Sequence, residues 1–536
     1  MACGGEEKIS YEIIRAPSLG ARVEVRVDQH GIYHIYGKTD EDVAFAQGFV
    51  QAKTRLFFME FLRRLGRGEL SSLFGGVIPE IGELDRFIKE VQFDLHGRMI
   101  YEDLAETLSP QMRKLADLFC RGINLYIKGI RKGIYPLPHE FKYYDIPPDG
   151  IEYWSAEDIA ALGRIFEFFL SGMMNVTELD INIWENNLPQ NLIGDWIRFK
   201  PATPTTTMYG DLVTTDNFPY VPVNFVAEKS GRLIANFRGI INALEKFIMG
   251  SYKYGSNNWV ISGRITENGK TLLANDPHLP LLTPPIWEIF HLHSGNENAL
   301  GFSVPGLPGV LIGVTDHIAW GETVAGYDVA DFYFEKITCE GNGCFALKKG
   351  KKYEVKTAYV DHRVRTGAHK WENVKLPVYY IPGQEVLIVW DEKDLKLPYP
   401  VPSTHYAIGF RWTGQNISDE FDAFLGYLKA ENVDDFASAI TNFEVGAQNQ
   451  VAIDRDGNIL YFPHAQIPVR SGGSRQWKVM NGYNGEGEWV GYLPEDKIPY
   501  LKNPSRGFVN TSNNDIIGVL QNNSPAREKP ILLFLP

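Results

Sequence analysis

Chemistry in this chain could start at Gly255 and Ser256. They open the string Gly255-Ser256-Asn257-Asn258-Trp259, which continues through Val260 and Ile261 and, beyond Asn268-Gly269, runs from Leu272 to His278. Trp259, Val260 and Ile261 are strand formers. Asn-Gly is the strongest two-residue hairpin signal, because both positions tolerate positive φ. Leu272 to Ala274 then read as the returning strand, which puts Ser256 at the head of a hairpin strand directly behind a glycine. Taken alone, such a serine is a turn residue. Yet glycine allows backbone angles closed to other residues and leaves space for attack on its carbonyl. The pair thus has the makings of a nucleophile and of the bond that nucleophile would cut. A second group is Asp328-Val329-Ala330-Asp331, where two carboxylates beside a carbonyl suit a hard cation. A solvated acidic turn has the same letters.

The rest of the chain bounds what those residues can belong to. With 536 residues, 44% of them hydrophobic, one or two domains can bury a large core. A net charge of −13 and the lack of a Lys/Arg run argue against a nucleic-acid partner. No stretch of about 18 apolar residues is present, so the sequence predicts no membrane-spanning helix. Cys339 and Cys344 flank a Glu-Gly-Asn-Gly turn, which leaves two readings open, a small disulfide loop or two free thiols. Cys120 sits in a helical apolar pattern as a buried thiol. Cys3 stands before Gly4-Gly5, with no apolar segment ahead of it that would mark a lipid anchor or a signal peptide.

Several elements can be placed from pattern. Alternating Val23, Val25 and Val27 and the run Ile32 to Tyr36 make a hairpin. Thr39 caps a helix to about Leu65, with Asp42 in the capping-box position. Ser109-Pro110 starts a helix to about Lys132, and Ser155 with Asp158 starts a very apolar one containing Ile165 to Leu170. Residues 201–222 read as loop, and Leu233 to Met249 has helical spacing. Residues 418–430 and 432–443 read as two helices. Gln448 to Tyr461 is a hairpin around Asp456-Gly457.

Read together, the Ser256 string, Ala46-Gln47-Gly48 to Leu56, Thr177-Glu178-Leu179-Asp180, Val304 to Val310, Ile318 to Val324, Asp328 to Asp331 and Gln448 to Tyr461 resemble the penicillin acylase family of N-terminal-nucleophile (Ntn) hydrolases, in the family's order. The resemblance implies an α+β fold, a four-layer αββα sandwich with a helical α-chain region. It implies that the protein cuts its own Gly255–Ser256 bond. The products would be an α-chain region, 1–255, with a spacer near 201–255, and a β-chain, 256–536. Freed Ser256 would be both nucleophile and base in the hydrolysis of a linear amide, a penicillin or another N-acyl amine. An acyl-homoserine-lactone acylase and an inactive precursor are the alternatives.

Carried over residue by residue, the resemblance assigns the oxyanion donors to the Val324 N–H and the Asn449 amide. His278 becomes a positioning residue near the serine's amino group, and Arg470 a residue close to the site. Leu279, Ile312 and Glu322 fall on the acyl pocket, where well-known relatives have two phenylalanines and a serine. The helix carrying Ile165 to Leu170 would line it too. Glu178, Asp328, Asp331 and the Ala330 carbonyl become ligands of a structural Ca²⁺; no organic cofactor is implied. Family members are commonly exported, which leaves location open. The resemblance is expected to end after Gly518, short of the family's full length, with Val519 to Pro536 as an unrelated tail.

Overall fold

The structure, a computed structural model, describes residues 10–15, 20–75, 81–173, 178–180, 182–183, 234–239, 241–242, 255–367, 369–391, 399–471 and 479–514. Cys3, Thr177, the loop at 201–222, all but 234–239 and 241–242 of the spacer expected ahead of Gly255, and the tail from Val519 lie outside them.

Helices dominate the first part of the chain, and their ends follow the local chemistry. The Asp40–Arg67 helix begins where the Thr39 hydroxyl accepts from Asp42 N at 3.2 Å. The reciprocal half of the box is absent, because Asp42 Oδ1 accepts from Gly20 N instead. The helix ends at Gly68, whose φ of 60° lets its N–H reach back to the last turn. Ser109 caps Pro110–Arg131, and Ser155 with Asp158 forms a full capping box on Ala156–Leu170. The Asp40–Arg67 and Pro110–Arg131 helices cross at glycines. A Cβ on Gly48 would lie 2.1 Å from the Phe119 carbonyl oxygen, and one on Gly122 only 1.9 Å from that of Phe45. This close crossing sets Val43, Ala44, Gln47, Met112 and Leu115 side by side on one wall of the cavity described below.

Among the described residues four sheets carry the rest, one of them only the pair Pro468–Arg470 and Trp489–Tyr492. The ten-stranded sheet runs in the order Ser10–Ile14, Val23–Val27, Tyr33–Tyr36, Glu288–His293, Asn298–Ser303, Ile312–Val314, Ile318–Val324, Gln448–Asp454, Ile459–Phe462 and Leu501–Lys502. Its one parallel pairing, Tyr33–Tyr36 with Glu288–His293, ties the early hairpin to the later half of the chain. A seven-stranded sheet is built around Ala330–Gly341 and Tyr399–Trp412. The three-stranded sheet is Phe508–Thr511, Gly255–Ile261 and Leu272–His278, with the serine strand in the middle. It lies against Ile318–Val324 and Gln448–Asp454, while the Val433–Ile440 helix packs on the latter strand and its neighbour Ile459–Phe462. The α+β class holds.

Two expectations change in detail. The serine hairpin is not closed by a two-residue turn. Its strands are joined by 262–271, which contains a short 3₁₀ turn, Gly263–Ile265, with Gly269 at φ 70° farther on. Gly263 packs against the Gly269 carbonyl, so the loop folds on itself before the chain returns. At the second question the disulfide is the answer: Cys339 and Cys344 are cross-strand partners and are bonded. Cys120 is free and buried.

Gly122→Ala forces a methyl group into the helix crossing. The expected loss is about 1–3 kcal/mol, the usual result of overpacking a core. It reads as a lower denaturant midpoint; an unchanged midpoint would show that the helices do not meet at Gly122.

Candidate active site

Ser256 is held by side-chain amides that grip backbone groups of a facing sheet. From the strand beside it, Asn275 donates through Nδ2 to the Glu322 carbonyl at 2.9 Å and accepts from Glu322 N at 3.0 Å. Gly321 makes that approach feasible, since a Cβ there would lie 2.7 Å from Asn275 Cβ. Deeper in the seam, Thr511 donates to Asn258 Oδ1 at 2.6 Å, and the Thr323 and Thr511 hydroxyls meet at 2.7 Å. Asn258 Nδ2 donates to the Asn449 carbonyl at 3.3 Å. All four of these residues are buried and mutually satisfied.

Ser256 itself is buried, and its main-chain N donates to Asn513 Oδ1 at 2.6 Å. Asn513 Nδ2 donates to the Val324 carbonyl at 2.8 Å. Asn513 has a φ of 56°, a left-handed conformation that asparagine tolerates better than most residues. Val324 is buried. Ala325 N donates to the Ala447 carbonyl at 2.9 Å, so the antiparallel alternation turns the Val324 N–H away from the Gln448 strand.

Asn449, the expected side-chain donor, is not turned toward the cavity. It lies opposite Thr323, on the other strand face from Glu322 and Val324. Its Nδ2 donates to Thr323 Oγ1 at 3.1 Å and to the Val324 carbonyl at 3.0 Å, and Tyr461 donates to its Oδ1 at 2.8 Å. Both amide hydrogens are therefore committed behind the site. The side-chain amide that reaches Ser256 is that of Asn513. The Asn513-Asn514 pair was visible in the sequence, but its approach to Ser256 depends on the pairing of Phe508–Thr511 with the serine strand. His278 lies opposite Gly255, partly exposed, with Nε2 2.9 Å from Asp276 Oδ2. It stands on the glycine side of the Gly255–Ser256 bond.

Ser256 opens into a cavity of about 160 Å³, roughly ten times the space one water requires. Leu279, Ile312, Glu322 and Val324 all line it, as do Phe166 and Leu170 from the apolar helix. Glu322 Oε1 is sealed from solvent and accepts no hydrogen bond. Burial pushes the Glu322 carboxyl up to about 8.

The acidic group forms a separate centre. Glu178, Asp328 and Asp331 are buried and can each offer an oxygen within 4.8 Å of the others. Ala330 is buried between them in sequence, opposite Trp412. Arg470 belongs here rather than beside the serine. Its Nε donates to Asp331 Oδ2 at 2.7 Å and its Nη2 to Asp328 Oδ1 at 2.9 Å. Burial alone would lower the affinity of Arg470 for its proton, but Asp328 and Asp331 outweigh it and hold the guanidinium charged. Burial, followed by the charges of Asp331 and Asp328, pushes the Glu178 carboxyl well up. Asp331 Oδ1 is buried without a hydrogen-bond partner. Three carboxylates against one guanidinium fit a divalent ion with oxygen preference.

Comparison with known proteins identifies the family. A penicillin amidase family profile matches residues 22–532, past Gly518, where the resemblance was expected to end. The chain is similar to an acyl-homoserine lactone acylase, QuiP, of Pseudomonas aeruginosa, with 27% identity over 92% of this chain and 55% of that protein. It is similar to the penicillin acylase 2 proenzyme of Pseudomonas sp. (strain SE83), 26% identical over 94% of this chain and 59% of that protein. With the penicillin G acylase of Escherichia coli it shares 22% identity over 93% of this chain and 60% of that protein. The chain thus spans little more than half the length of these relatives. A solved thermostable penicillin G acylase from Alcaligenes faecalis aligns with a TM-score of 0.39 and 22% identity, over 51% of this chain and 45% of that one. With the profile covering nearly its whole length, the chain belongs to the penicillin amidase family.

Proposed function

We propose that the chain is a self-processing amidohydrolase that cleaves linear amides through an acyl-enzyme on Ser256. The observation that carries this reading is the setting of Ser256. It follows Gly255 at a strand head, opens into an apolar cavity and has its nitrogen held by Asn513 at 2.6 Å. In processing, Ser256 Oγ adds to the Gly255 carbonyl carbon, the C–N bond breaks as the acyl group passes to oxygen, and water hydrolyses the ester. Gly255 leaves as a carboxylate, and Ser256 gains a free α-amino group, dividing the chain into 1–255 and 256–536. That amine, with an ordinary pKa of about 7.7–8.0, then takes the Oγ proton as Oγ attacks a substrate amide. The proton passes to the departing amine. Water, deprotonated by the same group, releases the acid.

Two donors serve the oxyanion in this reading, the Val324 N–H and the second hydrogen of Asn513 Nδ2. Asn513 Oδ1 keeps the new amine in place. Asn449 is a positioning residue that braces the Val324 carbonyl from behind, and His278 a positioning residue at the cleaved bond. A penicillin or another N-acyl amine is the substrate class. An acyl-homoserine lactone is the second candidate, supported by the name of the Pseudomonas aeruginosa relative.

Calcium is the ion we propose for Glu178, Asp328 and Asp331, with the Ala330 carbonyl alongside. Its part is to neutralise buried charge and join the chain before Ser256 to the chain after it. No step of the reaction passes through it.

Three outcomes follow. Freshly purified wild type yields a fragment beginning Ser-Asn-Asn-Trp by mass spectrometry, and Ser256→Ala stays one inactive chain. An intact wild-type chain with measurable amidase activity refutes the mechanism. Asn513→Gly keeps the positive φ and removes the amide; in cleaved protein, turnover drops by about 10²–10³, the usual loss for one oxyanion donor. Near-normal turnover in that variant takes Asn513 out of the site. Chelation lowers the melting temperature and added calcium restores it, because an ion bound only to the folded state adds about 2.7 kcal/mol at a hundred times its Kd. An unchanged melting temperature, with no metal by elemental analysis, removes the calcium.

A further inference from the structure

The cavity in front of Ser256 carries acidic groups and no basic ones. Asp40, Glu167, Glu297, Glu322 and Glu420 line it, and among the described lining residues there is no lysine, arginine or histidine. Most of these carboxylates are engaged at the walls. Asp40 accepts from the Ser294 hydroxyl. Glu420 accepts from Ser418 Oγ at 2.6 Å and from Val445 N at 2.9 Å. Glu167 Oε2 lies 3.3 Å from Arg164 Nη1. Burial, then the charge of Asp40, pushes the Glu297 carboxyl up to about 7 against a smaller opposing pull from Lys429.

Glu322 has none of this. Its buried Oε1 accepts no hydrogen bond, and burial is the sole influence on its carboxyl. Directly across the ladder, on the same face, stands Gln450. Gln450 Oε1 takes the Tyr427 hydroxyl at 2.7 Å, while its Nε2 is buried and donates to nothing. A buried carboxyl of this kind is unfavourable as an ion until a cation or hydrogen-bond donor reaches it. The same cavity has the rings of Phe166, Trp287, Phe421 and Phe424 in its walls, surfaces that attract a cation as well as an apolar chain. An anionic acyl group would meet only like charge.

We propose that Glu322 recognises an ammonium group carried by the acyl part of the substrate, so that the preferred amides have amino-bearing acyl groups. The inference rests on Ser256 as the acylated residue, since that places the acyl group in this cavity. Within it, the acyl chain packs along the apolar walls from Ser256, and its ammonium group pairs with the Glu322 carboxylate. Phenylacetyl amides, which have nothing to offer that carboxyl, are poor substrates by the same argument.

The test uses two 4-nitroanilides of one shape, those of 4-(aminomethyl)phenylacetic acid and 4-ethylphenylacetic acid, at the same pH. Wild type is expected to favour the amine in kcat/KM by about tenfold or more, equivalent to about 1.4 kcal/mol. The isosteric variant Glu322→Gln should bring the ratio close to one. No amine preference in wild type, or the wild-type preference retained in Glu322→Gln, overturns the proposal while leaving the acylase reading intact. Should neither anilide be cleaved, calorimetry with the two free acids on the full-length protein decides. Tighter binding of the amino acid by about tenfold, lost in Glu322→Gln, supports Glu322 as the amine site even if the acylase reading falls. Equal binding, or none, overturns it.

Discussion

The position of Ser256 depends on one side chain in particular, the Asn275 amide that bridges two sheets. The serine strand shares no ladder with the ten-stranded sheet, so ordinary backbone pairing cannot set the distance between Ser256 and Val324. Asn275 supplies what a ladder would, one hydrogen bond given to and one received from the backbone of Glu322. Asn513 repeats the device at the other side, accepting from Ser256 N and donating to the Val324 carbonyl. Bonds to backbone atoms keep their geometry whatever side chains the gripped residues carry. The cost is that each asparagine must be buried or half-buried with its partners in place, since an orphaned amide there would cost about 1–3 kcal/mol.

Local chemistry made much of this legible before the structure. Helix starts at Thr39, Ser109 and Ser155 follow from hydroxyl caps, and the structure places all three within a residue of the expected boundary. Leu279, Ile312 and Glu322, grouped in the sequence reading, line one cavity with Ser256 and Val324. What failed was long-range. Asn449 and Asn513 are both asparagines near strand ends, and nothing local says which faces the serine; strand parity and sheet pairing decide it. Arg470 could be read as near the site, but its place is set by two aspartates far away in sequence. The Asn268-Gly269 signal did mark a turn, yet the loop around it is longer because Gly263 can pack on the Gly269 backbone.

The carboxylate centre shows how charge can be partly settled by the protein itself. Arg470 neutralises one unit and takes one oxygen each from Asp328 and Asp331, with the Trp489 N–H also on Asp331. Glu178 contributes from the helical part of the chain, through Phe332 N at 3.2 Å, and so connects residues before Ser256 to a strand after it. With all three carboxyls ionised, two negative charges would remain in a buried setting, which is strongly unfavourable and is what pushes the Glu178 carboxyl up. A bound dication would remove that penalty and tighten the same connection.

Glu322 stands where the two demands on the site separate. Its backbone N–H and C=O hold Asn275, and through it the serine hairpin, while its side chain faces the cavity. Position of the serine hairpin and character of the pocket are thus written on one residue but in different atoms. A change of side chain at 322 alters what the cavity accepts and leaves the main-chain clamp where it is. Gly321 beside it has no such freedom, because any Cβ would strike Asn275. This division lets the wall carry a carboxyl without disturbing the main-chain clamp on the serine hairpin. The chemistry is fixed by backbone contacts, and selectivity is left to the side chains that those contacts do not use.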